Sequence, residues 1–158
     1  MHYLVTLIVP AENAEEANSV ADSVMMDLVE WKEFDCYQTE AADSRWDDCW
    51  RPIKLSSKKA QAIVSNTMQG QLEEFKQTLS TIRVMLDKYS DEQIFNEEFE
   101  QESGHYLSRW QFSRASGYHA NACQLFGENG DSITSQRQLD YYLKGLKDQW
   151  VVQVDCHN

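Results

Sequence analysis

An almost unbroken apolar run close to the start of the chain limits the folds that the chain can adopt. Residues 2 to 10 read His-Tyr-Leu-Val-Thr-Leu-Ile-Val-Pro, without the regular polar alternation of a strand that has one wet face. The run predicts a strand buried on both faces, and Pro10 ends it because proline has no amide hydrogen for the ladder. We expect this strand to form the centre of a sheet.

The residues after this strand predict a helix and then a second strand. Asn13 followed by Glu16 is typical of a helix start, and apolar residues then recur at three- and four-residue steps for about four turns. Residues 33 to 40 alternate in polarity, which indicates a strand with one wet face.

A long helical block follows in the middle of the chain. Apolar positions advance by three or four from Ser56 or Ser57, the candidate N-caps, as far as Tyr89. This periodicity predicts either one long helix or two collinear helices that are broken at Gly70.

A second helix is expected to fold back on the first. Ser90 with Gln93 forms a capping box, and the helix that it starts either stops at Gly104 or, as we expect, continues to about Phe112. The two helices would make a helical-hairpin insertion at residues 55 to 112.

The end of the chain repeats the strand, helix and strand order. Residues 121 to 126 and residues 150 to 156 have strand patterns. Between them, Asn129-Gly130 is typical of a tight turn, and Ser135 with Gln138 predicts another helix start.

The assembled pattern predicts a single α+β domain, residues 1 to 158, with a split βαβ (ferredoxin-like) four-stranded sheet and the helical insertion between its halves. In that plan the first and last strands are antiparallel neighbours, so His2 should lie near Asp155, Cys156 and His157. These side chains could together bind Zn²⁺. Their spacing matches no metal motif, and we predict no metal or other cofactor.

The cysteines indicate the compartment. None of the four forms a C-x-x-C pair, and no signal-peptide pattern precedes them, which favours a reduced, intracellular protein in the cytoplasm. No run of about 18 apolar residues is present, so we expect no membrane span.

The charge is strongly acidic and unevenly distributed. The chain has 26 acidic and 14 basic residues, a net charge of −12, and residues 1 to 50 have 12 acidic residues against 2 basic ones. This balance argues against binding to nucleic acid, because phosphates would be repelled. A local basic patch could still override it, and the residues of that patch would be Arg51, Lys54, Lys58, Lys59 and Lys76.

Residues 41 to 52 form the segment with the most functional character. They read Ala-Ala-Asp-Ser-Arg-Trp-Asp-Asp-Cys-Trp-Arg-Pro, and tryptophan and arginine are enriched at interface hot spots, although the tryptophans could equally fill the core. The glutamates near residue 100 either bind a partner or keep the protein soluble. The predicted partner-binding residues are Tyr37, Arg45, Trp46, Asp47, Asp48, Trp50, Glu97, Glu98, Glu100 and Glu102.

This segment resembles that of a loose group of uncharacterised small proteins from tailed-phage genomes. The similarity lies in Phe-Asp-x-Tyr at 34 to 37, in Arg45-Trp46, and in the opening and closing strands at 3 to 6 and 150 to 157. The group usually has Gly-Gly before Arg-Trp, where this chain has Asp-Ser.

The resemblance and the charge together predict a non-enzymatic, phage-type antagonist of a host defence complex, similar to an anti-CRISPR inhibitor. Its partner would be a host protein with a basic surface that normally grips nucleic acid, and its carboxylates would lie where phosphates bind. The alternative is a small metal-dependent phosphoesterase or nuclease in which Asp35, Asp47 and Asp48 hold Mg²⁺.

Overall fold

The fold was determined as a computed structural model, which describes residues 2–96, 99–100, 105–106, 124–144 and 148–157. The chain divides into two compact units. The first contains residues 1–69 and 123–158, and the second contains residues 70–122.

The elements follow one another in mixed α and β order. They are β1 (His2–Pro10), α1 (Ala14–Glu30), β2 (Cys36–Tyr37), a 3₁₀ turn (Ala41–Asp43), β3 (Ile53–Lys54), α2 (Lys58–Lys88), α3 (Asp91–Phe95), β4 (Phe99–Glu100), β5 (His105–Tyr106), β6 (Leu125–Phe126), α4 (Gln136–Leu143) and β7 (Gln149–His157). None of these helices has a stretch long and apolar enough to cross a bilayer.

The first unit is organised around β1, as its apolar run predicts. In the described residues a mixed sheet of five strands has the order β2-β7-β1-β6, and β3 also pairs with β7. Strand β1 is antiparallel to β7 along its whole length, from His2 opposite His157 to Pro10 opposite Gln149. It is parallel to β6, with Thr6 opposite Leu125. The mixed α and β class and the central position of β1 are therefore confirmed.

The ferredoxin-like strand order is not confirmed. In that plan the second strand lies beside the third, whereas here β2 and β3 both pair antiparallel with β7, the last strand. The reason is that residues 132 and 133 already occupy the outer edge of β6. Phe126 bridges to Ser132, and the amide of Ile133 donates to the carbonyl of Leu125. The outer edge of β7 is the one left for the second strand.

Both faces of β1 are covered, which explains why its sequence does not alternate in polarity. Val5, Leu7 and Val9 belong to a core cluster with the buried face of α1. Ile8 points to the opposite face and belongs to a second cluster with residues of the first turns of α2 and of α4. The residues that join Ile8 in this second cluster are Leu55, Ala60, Val64, Leu125, Ile133, Leu139 and Val151.

The predicted helix starts agree with the caps in the structure. The side chain of Asn13 accepts a hydrogen bond from the amide of Glu16 at the start of α1, and Ser135 accepts from Gln138 at the start of α4. Ser57 Oγ accepts from the amide of Ala60 at 3.2 Å. Helix α2 then runs unbroken through Gly70, so one long helix forms instead of two.

The second unit differs from the predicted helical hairpin. Ser90 and Gln93 form both arms of the expected capping box, but α3 ends after five residues with Asn96 as its C-cap. Beyond it, β4 pairs antiparallel with β5, Phe99 opposite Tyr106. The prediction of a helix continuing to Phe112 is wrong at residues 99–100 and 105–106, because both pairs are strands. Each pair contains an aromatic residue, a type that favours extended backbone. The remainder of that expected helix lies outside the described residues.

The C-terminus of α1 has a residue in an unfavourable backbone conformation. Lys32 has a φ of 65°. Its amide donates to the carbonyl of Val29, and the amide of Glu33 donates to the carbonyl of Leu28, which is the Schellman pattern. Glycine normally occupies this left-handed position because it has no Cβ to clash.

Lys32→Gly should therefore stabilise the protein, by about 0.5–1 kcal/mol, since the exposed lysine side chain contributes little there. Urea unfolding followed by circular dichroism measures the change. Lys144→Gly is the matched control: Lys144 is the C-cap of α4 and has a φ of −67°, so glycine should give no gain at that position. Equal effects of the two substitutions would contradict the argument.

Candidate functional site

The strands β2 and β3 are two parts of one edge strand, separated by a long excursion. The amide of Gln38 donates to the carbonyl of Asp155, and the amide of Trp50 donates to the carbonyl of Gln153. Only Val154 lies between these two acceptors on β7, yet the chain inserts eleven residues, 39–49, between the two donors. We call residues 39–49 the excursion; it is far longer than an ordinary bulge, in which one extra residue is inserted.

Trp50 closes the base of the excursion. Its φ is 56°, an unusual value for a bulky residue, and this turns the chain back toward β7. Its indole Nε1 donates to the carbonyl of Gln38 at 2.6 Å, and Asn18 Nδ2 donates to its carbonyl at 3.3 Å. The ring packs against the core cluster on the α1 face, 6.2 Å from the ring of Tyr37. Trp50 is therefore a structural residue at the base.

Asp155 holds the excursion from inside. Its side chain is fully buried, and one oxygen accepts from His2 Nδ1 at 2.8 Å. The other oxygen accepts from the amide of Arg45 at 2.8 Å. The rings of His2 and His157 meet edge to face at 5.2 Å. The predicted proximity of the two strand ends is confirmed, and a single carboxylate joins the start of β1, the end of β7 and the excursion.

The thiols of Cys156 and Cys49, near this carboxylate, have raised pKa values. Burial, with the nearby charge of Asp155, raises the pKa of Cys156 well above its usual range. Burial also raises the pKa of Cys49. Raised pKa values keep both groups as thiols and disfavour nucleophilic chemistry or metal ligation at neutral pH.

The candidate metal ligands are not assembled into a site in the part of the chain that the structure describes. No group of three or more His, Cys, Asp or Glu residues there could hold a metal ion. Of the three aspartates in the nuclease alternative, Asp35 and Asp47 are exposed, while Asp48 accepts from Lys59 Nζ at 3.2 Å.

The predicted partner-binding residues of the first unit divide into two groups. Tyr37, like Trp50, has an internal role, because its hydroxyl donates to Asp22 Oδ1 at 2.7 Å on α1. Burial raises the pKa of Tyr37, and the hydrogen bond to Asp22 raises it further. Arg45 and Asp47 project from the excursion as exposed residues, while Trp46 and Asp48 are half-buried and Asp48 is paired with Lys59.

The predicted glutamates belong to the second unit. Glu100 lies in β4. Glu97, Glu98 and Glu102 lie outside the described residues, so their role as partner-binding residues stays a prediction.

Sequence reasoning missed two exposed aromatic residues of the first unit. Trp31 is 60 % exposed at the end of α1, and Tyr141 is 72 % exposed on α4. Trp31 directly follows the acidic last turn of its helix, which is the one local signal that could have drawn attention to it.

The fold and site together define an α/β domain with a covered central sheet and an excursion from its edge strand. The chain belongs to the family described as domain of unknown function DUF7995, whose model matches residues 1–158. No curated protein and no solved structure matches it significantly.

Asp155→Ala should destabilise the protein by about 3 kcal/mol, because it leaves the amide of Arg45 and the ring of His2 without their buried acceptor. Asp155→Asn should cost less, since the amide oxygen can still accept one of the two bonds. Urea unfolding measures both effects. Asp43→Ala, an exposed position in the same excursion, should change stability by less than about 0.5 kcal/mol.

Trypsin provides a second measurement of the same anchor. The excursion contains one tryptic bond, after Arg45, and the nearby Arg51 is protected because proline follows it. Cleavage after Arg45 should be faster in Asp155→Ala than in the parent protein. Unchanged cleavage and unchanged stability would show that Asp155 does not hold the excursion.

Proposed function

We propose that this protein is a non-enzymatic, phage-type antagonist that binds a basic, nucleic-acid-gripping surface of a host defence protein. The observation that carries the proposal is the excursion, which is anchored at its base and presents charged side chains outward. A pre-ordered loop loses less conformational entropy on binding than a disordered one, so its contacts convert more fully into affinity.

The charges of the excursion support a cationic partner. Glu40, Asp43 and Asp47 are exposed, and none of them makes an ion pair within the described ranges. Free carboxylates of this kind accelerate association with a positive surface and can occupy the positions of phosphates. In the proposed complex Arg45, Trp46 and Asp47 contact the partner directly, while Tyr37 and Trp50 keep the excursion in shape.

The acidic residues of the second unit would supply further negative charge to the same partner. We propose that Glu97, Glu98, Glu100 and Glu102 form a second contact from the insertion at residues 55 to 112. Their negative charges would add to the attraction by the excursion, and salt would weaken both contacts alike.

The enzymatic alternative has less support. A hydrolase that uses Mg²⁺ needs carboxylate oxygens that converge on one point. Asp48 is instead engaged with Lys59, and the described residues contain no group suited to a metal ion. Metal-dependent hydrolysis of nucleic acid that Asp47→Ala abolishes would favour the enzyme over the antagonist.

The proposal predicts that neutralising the excursion will destroy binding while the fold persists. A host protein is first captured from lysate with the parent protein. For the variant Glu40→Gln, Asp43→Asn, Asp47→Asn, affinity for that host protein should fall at least about tenfold, roughly 1.4 kcal/mol. The measurement is a titration of the purified pair, in which the protein should also displace nucleic acid from its partner.

A matched control removes the same charge elsewhere. Glu12, Glu15 and Glu30 are exposed on or beside α1. Replacing all three with glutamine removes three negative charges, the same number as in the excursion variant. This control should retain most of the affinity, and about 0.5 M salt should weaken the parent complex. Equal losses in the two variants, or a partner that releases no nucleic acid, would contradict the proposal.

A further inference from the structure

The turn after β6 is shaped by two glycines. The amide of Gly127 donates to the carbonyl of Asp131 at 2.9 Å, and the amide of Gly130 donates to the carbonyl of Gly127 at 3.1 Å. Gly130 has a φ of 71°, a conformation that side chains rarely adopt. The turn is therefore tightly closed.

Aromatic side chains pack on both glycines. A Cβ at Gly130 would lie 2.7 Å from Trp31 Cζ3, and one at Gly127 would overlap the ring of Tyr142. Tyr141 meets Tyr142 edge to face, with ring centroids 5.6 Å apart. Because Tyr141 is 72 % exposed, this tyrosine pair presents an open aromatic surface beside a turn that is held in place.

Two carboxylates lie at the same place. The hydroxyl of Tyr142 donates to Asp131 Oδ2 at 3.4 Å. Burial raises the pKa of Tyr142 to about 12, and the charges of Asp131 and Glu128 add to the shift. Glu128 directly follows Gly127, the glycine on which the Tyr142 ring packs. Both are exposed, and neither makes an ion pair in the described part of the chain.

We propose that Tyr141, Tyr142, Glu128 and Asp131, together called the tyrosine turn, bind an arginine side chain of a protein partner. A planar guanidinium can stack on an aromatic ring while it donates hydrogen bonds to carboxylates, and both contacts are combined here. Charge complementarity selects this occupant, since the surface offers an exposed ring and two carboxylates that make no ion pair with any described residue. The tyrosine turn shares no residue with the excursion. Arginine binding at this turn is therefore a second interaction, in addition to the one in the proposed function.

The test uses the full-length protein labelled with ¹⁵N and a synthetic Arg-Gly repeat peptide. The amide signals of Gly127, Glu128 and Tyr141 should shift saturably with this peptide and should not shift with a Gln-Gly repeat. Tyr141→Ala should weaken binding at least about threefold, the effect of one exposed cation–π contact. The double variant Glu128→Gln, Asp131→Asn should weaken it further.

The control variant Glu12→Gln, Glu15→Gln removes the same charge from the start of α1 and should bind like the parent. Dispersed spectra of each variant verify the fold. The proposal is overturned if the peptide shifts signals only outside the turn, or if the double variant and the control bind equally well. Signals that move with protein concentration before peptide is added would identify a second copy of the chain as the occupant, which also overturns it.

Discussion

The antiparallel pairing of β1 with β7 is the interaction on which the first unit depends. It joins the two ends of the described chain over nine residues of each strand, from His2 with His157 to Pro10 with Gln149. Because β1 contacts core residues on both faces, the pair fixes the plane on which α1 packs from one side and α2 and α4 from the other. The excursion is possible only because β7 offers its outer edge to β2 and β3.

The sequence predicted the elements whose signals are local. The limits of β1 and the caps at Asn13, Ser57 and Ser90 depend on residues a few positions apart, and the structure agrees with them. The strand order could not be predicted in the same way. It depends on Ser132 and Ile133 covering the edge of β6, a competition between distant segments that no local pattern records.

The candidate site was predicted in part for the same reason. Its composition marked residues 41 to 52 as unusual, but composition cannot separate an aromatic residue that binds a partner from one that supports the backbone. Trp50 shows the difference: its positive φ and its bond to Gln38 follow from the register of β2 and β3 on β7. Asp155 is similar, since a carboxylate in an apolar strand becomes an anchor only when His2 and Arg45 reach it.

Internal hydrogen bonding decides which residues of the site are available to a partner. Trp50 uses its amide, its carbonyl and its indole nitrogen within the protein, so a partner that engaged these groups would have to break the closure of the excursion. The side chains of Arg45 and Asp47 have no ion pair among the described residues and are exposed, so they can bind without such a cost. Rigidity at the base and free charge at the surface are therefore separate properties, carried by different residues of one short segment.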